Sequence, residues 1–218
     1  MRYKLVAAFL VGVACGLFAH QVGMLRVVNA MIRSALQLPN TYQVVRTDLL
    51  ARSKVQAPIV VVGDSLAEHG DWQGLLGRAD LLNRGISWDQ TTHVLARLPS
   101  IQAAGADTVI LIVGINDLHQ GTSPAVLAAN VRRIIDGLAP SRVILAPILN
   151  GVSQVAKEVE QANALLGQVC TGTCLLVSVP QLAGVLTPAH TYDRVHLTAA
   201  AYVELAAAIA PLLKQERR

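Results

Sequence analysis

The sequence predicts an α/β chain: a three-layer sandwich of helices around a five-stranded parallel sheet, preceded by one N-terminal transmembrane helix. Three observations lead there. From Pro58 onward, short β-branched runs alternate with longer helical patterns. Those runs are continuously apolar rather than alternating, as expected of strands covered on both faces. And 21 residues, Leu5 to Leu25, pass without one Asp, Glu, Lys or Arg. With 218 residues, 53% of them hydrophobic and 15% charged, the chain has enough apolar side chain for one domain core and something more. That composition excludes intrinsic disorder and a coiled coil.

Residues 1–25 are expected to be a retained anchor or uncleaved signal. Met1-Arg2-Tyr3-Lys4 is a positive leader, and the 21 uncharged residues after it reach about 31 Å as a helix, close to the hydrocarbon thickness of a bilayer. No small-x-small site closes the run, so retention is favoured over cleavage. Lipidation at Cys15 is the other alternative, but Gly12 and the apolar residues beyond Cys15 fit it poorly. Residues 26–53 are expected to form a mixed apolar and basic connector beside the membrane, broken at Pro39-Asn40, and 54–218 the α/β domain.

Charge separates along the same boundaries. The net charge is +4, yet Lys54 to Leu213 carries 9 basic and 12 acidic residues, so the excess of cations sits at the two ends. A nucleic-acid binder needs its cations clustered on a folded face, and no nucleic-acid partner is expected. Cations on the two sides of the apolar run nearly balance and leave its orientation open. Cys170 and Cys174 decide it: Cys-Thr-Gly-Thr-Cys turns through a glycine that can bring two thiols within bonding reach, as an oxidising compartment allows. The domain is therefore expected to face the periplasm or cell exterior. Two reduced cysteines flanking a turn are the alternative, and a zinc site lacks a second ligand pair.

The strands are read at Ile59–Val62, Leu81–Asn83, Thr108–Val113, Val143–Ala146 and Leu175–Val179. Helical patterns fall at Trp72–Gly77, Thr91–Ala103, Pro124–Leu138, Ser153–Val169 and Thr198–Leu213. In an open parallel sheet, ligands gather beyond the carboxyl ends of the strands. There the first strand runs into Gly63-Asp64-Ser65-Leu66, the second into Gly85, and the third into Gly114-Ile115-Asn116-Asp117, while Asp193-Arg194-Val195-His196 precedes the last helix. A hydroxyl, a small residue with an exposed amide, a carboxamide and a carboxylate–imidazole pair are the components of an acyl-transfer site. On this reading Ser65 attacks, His196 takes its proton, and Asp193 orients the imidazole. The N–H groups of Ser65 and Gly85 and the side-chain amide of Asn116 meet the oxyanion. Asp64, Gly114 and Asp117 support the turns, Trp88 is a candidate wall of the substrate pocket, and His190 is the rival base that lacks the Asp193 spacing. His69, His93 and His119 lack metal-ligand spacing, so no metal and no cofactor is expected.

These four blocks resemble those of the SGNH (GDSL-type) hydrolases, whose diagnostic residues match Ser65, Gly85, Asn116 and His196 in order over about 150 residues from Ile59. Gly85-Ile86-Ser87-Trp88-Asp89-Gln90-Thr91-Thr92-His93-Val94-Leu95-Ala96-Arg97-Leu98 further resembles the subgroup similar to platelet-activating-factor acetylhydrolase. The resemblance implies a flavodoxin-like sandwich and hydrolysis of short-chain, acetyl-type esters. Acyl transfer to envelope glycans with the same site, a lysophospholipase or thioesterase, and a non-enzymatic envelope scaffold are the alternatives. Small esters, lipids and acylated glycans are all candidate substrates.

Overall fold

A computed structural model describes residues 41–214, and the unit that carries the sheet spans Val45–Arg218. The expected transmembrane helix at 1–25 and the first part of the connector lie outside the described residues. No helix among the described residues is long and apolar enough to cross a membrane. The first described helix, α1 (Thr41–Arg52), buries none of its residues.

Five parallel strands follow: β1 (Ile59–Gly63), β2 (Leu81–Gly85), β3 (Thr108–Ile112), β4 (Arg142–Leu145) and β5 (Cys174–Leu176), in the order β2-β1-β3-β4-β5. The apolar runs dictate this. β1 and β3 are buried at every position, which only a strand with neighbours on both sides and helices on both faces can be. The order steps one way from β1 to β2 and the other way from β2 onward, so right-handed crossovers place the intervening helices on opposite faces. α3 (Trp72–Leu76) packs with the last helix, α9 (Ala199–Leu213), where Trp72 meets Tyr202 edge-on at 5.8 Å. α4 (Thr91–Ala96), α5 (Leu98–Gln102), α7 (Pro124–Leu138) and α8 (Ala156–Val169) pack with one another on the other face.

Three departures from the sequence reading matter for the site. Two one-turn helices, α2 (Ser65–Glu68) and α6 (Ile115–His119), begin directly after Asp64 and Gly114. They are too short to show a hydrophobic period, so no sequence pattern announces them. The helix expected over 91–103 is broken at Arg97, because Pro99 has no N–H to donate to the Leu95 carbonyl and its ring crowds that group, whereas it is accepted in the first turn of a new helix. Strand β5 is shorter than expected, ending at Leu176. A disulfide joins Cys170 to Cys174 across the turn from α8 into β5.

The edge nearest the site is held by close approach. A Cβ on Gly63 (φ +151°) would lie 1.7 Å from the Ile112 carbonyl oxygen, so only glycine can end β1 there. A Cβ on Gly85 would lie 2.4 Å from the Glu68 backbone nitrogen, so glycine is what lets α2 rest on the end of β2.

Candidate active site

Ser65 stands at the first position of α2, two residues beyond β1, and is 6% exposed. Asp64 caps that helix by accepting the Leu66 N–H (2.9 Å). As the first N–H of a helix, the Ser65 amide has no intrahelical acceptor. Asn83 locks the other end of the turn. Its amide nitrogen donates to the carbonyls of Ala67 (2.9 Å), Glu68 (3.1 Å) and Gly70 (3.3 Å), absorbing the acceptors that a helix C-terminus leaves unpaired.

The loop before α9 crosses to this point from 131 residues away. His196 Nε2 lies 3.0 Å from Ser65 Oγ, and His196 Nδ1 lies 2.6 Å from Asp193 Oδ2. With the proton on Nδ1, the ring donates to Asp193 and accepts from the Ser65 hydroxyl. The other Asp193 oxygen accepts the N–H groups of His196 (2.7 Å) and Val195 (3.0 Å), so one carboxylate fixes both ring and loop. Partial burial raises the Asp193 pKa, but the hydrogen bonds from the His196 ring, the His196 N–H and the Val195 N–H outweigh it and hold the carboxyl at about 2. Arg194 sits at φ +73°, and its carbonyl accepts the Gly151 N–H at 2.7 Å, tying this loop to the segment that follows β4. His190 instead has its Nδ1 3.3 Å from Thr187 Oγ1.

Asn116 lies in α6, and its side-chain nitrogen donates to the Asp89 carbonyl at 3.0 Å. One of its two N–H bonds is thereby committed, leaving the second for another acceptor. Gly114, at φ +130°, makes the turn between β3 and α6. Asp117 faces inward and caps α4, accepting the Thr91 N–H (2.9 Å) and hydroxyl; burial pushes its pKa up against those bonds.

Gly85 departs from its expected part. Its N–H donates to Asn83 Oδ1 at 2.9 Å, so the amide is spoken for, and the glycine is required by the contact with α2. Three residues on, Trp88 takes φ +71°, an outlier for a bulky residue, and its N–H makes no hydrogen bond among the described residues. Its side chain is 60% exposed. The neighbouring Asp89 is buried and paired with Arg97 (Nε to Oδ2, 2.8 Å), while Arg97 Nη2 donates to the Gly63 carbonyl (3.2 Å). This pair pins the Trp88 loop to the end of β1. Nothing in the sequence marks an aspartate and an arginine eight apart as partners, and a tryptophan gives no hint of left-handed backbone.

Asp64 is the electrostatic anomaly. It is fully buried, one of its oxygens has no partner, and burial together with the nearby Asp89 and Asp117 carboxylates raises its pKa to about 7, against the Leu66 and Gly114 N–H groups, which lower it. Among the described residues no group of His, Cys, Asp and Glu side chains is placed to hold a metal.

Comparison with known proteins bears on this arrangement. The model of the GDSL-like lipase/acylhydrolase family matches residues 61–203. No curated protein matches the sequence. Among solved structures, the fold is shared with a Streptococcus pneumonia protein named for platelet activating factor (22% identity over 86% of this chain and 98% of that one, TM-score 0.69). It is shared too with a GDSL-like lipase from Bacteroides thetaiotaomicron (18%, 80% and 97%, TM-score 0.66). A lipase/acylhydrolase from Enterococcus faecalis is similar in the same way (20%, 75% and 100%, TM-score 0.63).

Proposed function

Because the chain belongs to the GDSL-like lipase/acylhydrolase family and is an SGNH-type hydrolase, we propose that it cleaves short-chain acyl esters through an acyl-enzyme on Ser65. The observation that carries this reading is the continuous line from Ser65 Oγ through the His196 ring to Asp193. A serine hydroxyl is a weak nucleophile until a base accepts its proton as it attacks. His196 is that base, and Asp193 keeps the ring in the accepting tautomer and stabilises the imidazolium that forms. The proton then passes from His196 to the leaving alcohol. A water activated by the same imidazole cleaves the acyl-enzyme, returning Ser65 and releasing the acid.

Charge developing on the carbonyl oxygen needs donors already in place. The Ser65 N–H and the second N–H of Asn116 are two. Since the Gly85 amide is bonded to Asn83, the free N–H of Trp88 takes the third part, in the loop whose Asp89 carbonyl holds Asn116. The exposed indole of Trp88 then forms the rim over the acyl group.

The apolar run Leu5–Leu25 and the Cys170–Cys174 disulfide support a membrane-anchored protein with its catalytic domain facing the periplasm or cell exterior.

The test is hydrolysis of p-nitrophenyl acetate by the full chain. Ser65→Ala and His196→Ala are each expected to lower kcat at least about 10³-fold. Turnover within tenfold of the parent in either variant would overturn the proposal. Product analysis with an acceptor glycan present separates hydrolysis from transfer.

A further inference from the structure

We propose that His69 is a positioning residue for the reaction, acting through the face of the His196 ring. His196 carries one contact at each ring nitrogen, to Asp193 at Nδ1 and to Ser65 at Nε2. An imidazole N–H and the lone pair of its other nitrogen both point in the ring plane, so a tilt of the ring misaligns both contacts at once. Asp193 is more than half exposed, so packing around the carboxylate does little to oppose such a tilt. A contact on the ring face does oppose it, and the His69 ring supplies one, with centroids 5.2 Å apart and planes tilted by 32°.

The backbone makes the contact follow from the nucleophile's own placement. His69 closes the one-turn helix that Ser65 opens, and its N–H donates to the Ser65 carbonyl at 3.0 Å. The hydroxyl and the second ring therefore leave the same turn, and the His196 ring meets both. Glu68 anchors that turn from the side: its carboxylate accepts the N–H (2.9 Å) and the hydroxyl (2.6 Å) of Ser87, and it pairs with Arg46 at 3.5 Å. His69 Nε2 stands 3.5 Å from the same Ser87 hydroxyl, at the outer limit of a hydrogen bond. The ring that backs His196 is thus seated at the junction of the nucleophile helix and the Trp88 loop. His69, which lacks metal-ligand spacing in the sequence, meets His196 through its ring.

This inference rests on the serine-hydrolase reading, and the experiment separates the two. Full-length parent, His69→Ala and His69→Phe are compared for kcat and KM on p-nitrophenyl acetate and for the NMR shifts of the His196 ring protons. His69→Ala is expected to lower kcat about fivefold with KM unchanged and to move the His196 ring signals by loss of the neighbouring ring current. His69→Phe, which keeps a ring but not a titratable one, is expected to stay within twofold of the parent in kcat. An alanine variant equal to the parent in kcat, a change confined to KM, or a phenylalanine variant as slow as the alanine one would each overturn the role. If the parent shows no Ser65-dependent turnover, the hydrolase reading falls, and ring signals that do not move on His69→Ala would overturn the stacking independently.

Discussion

The most heavily constrained side chain in the site is one that takes no part in proton transfer. Asp64 caps the nucleophile helix from a position without water, with one oxygen unpartnered and two other carboxylates nearby. Its pKa of about 7 in the folded chain lies above the ordinary value near 3.9 of an unfolded one. Below about pH 4 both states hold the proton and the residue costs nothing in charge. As pH rises to 7, the unfolded chain releases the proton while the folded one keeps it, and stability falls by up to ~4 kcal/mol. Asp64→Asn retains an acceptor for the Leu66 N–H and removes the ionisation. It is expected to melt higher than the parent at pH 8, with the advantage vanishing at pH 4; thermal unfolding at the two values checks this. The motif Gly63-Asp64-Ser65 was legible as a turn carrying a nucleophile, but the charge state of its aspartate depends on burial by distant segments.

At the scale of elements, the loop after β2 shows how sequence and structure divide the work. The alternation of apolar runs and helical stretches located all five strands, most directly the inner strands β1 and β3, which are buried at every position and therefore almost continuously apolar. It also pointed to Gly85 as an amide donor, being the glycine that follows a strand. The structure gives that glycine to packing instead, since α2 lies too close to β2 for any side chain, and it hands the unpaired amide to Trp88. What holds the loop in this shape is the buried Arg97–Asp89 pair. Arg97→Met would remove the buried cation that faces the Asp89 carboxylate, at an expected cost of ~3–5 kcal/mol. Adding Asp89→Asn should recover more than half of that, because the buried carboxylate charge is gone. Denaturant unfolding of the single and double variants checks the coupling. Equal losses in both would mean that the loop is held by something else.

For the whole molecule, the question is where the domain resides and what that permits. The disulfide between α8 and β5 closes a short loop at the sheet edge opposite β2. Loop closure of that size is worth ~2 kcal/mol on the chain-entropy account. Cys170→Ser is therefore expected to lower the thermal midpoint by a few degrees, and a reducing agent should do the same to the parent but not to the variant. A parent insensitive to reductant would remove the disulfide from the argument for an oxidising compartment.

By itself the sequence determined the layered α/β class, the strands, and the identities of the serine, histidine and aspartate that lie within hydrogen-bond reach of one another. Periodicity and residue chemistry are local properties, written into a few neighbouring positions. Only the tertiary structure decided that an imidazole 131 residues away comes within 3.0 Å of the hydroxyl, that the Gly85 amide is occupied while that of Trp88 is open, and that a second imidazole backs the first. Such contacts depend on how separate segments pack, and no local pattern encodes the distance between atoms brought together by the rest of the chain.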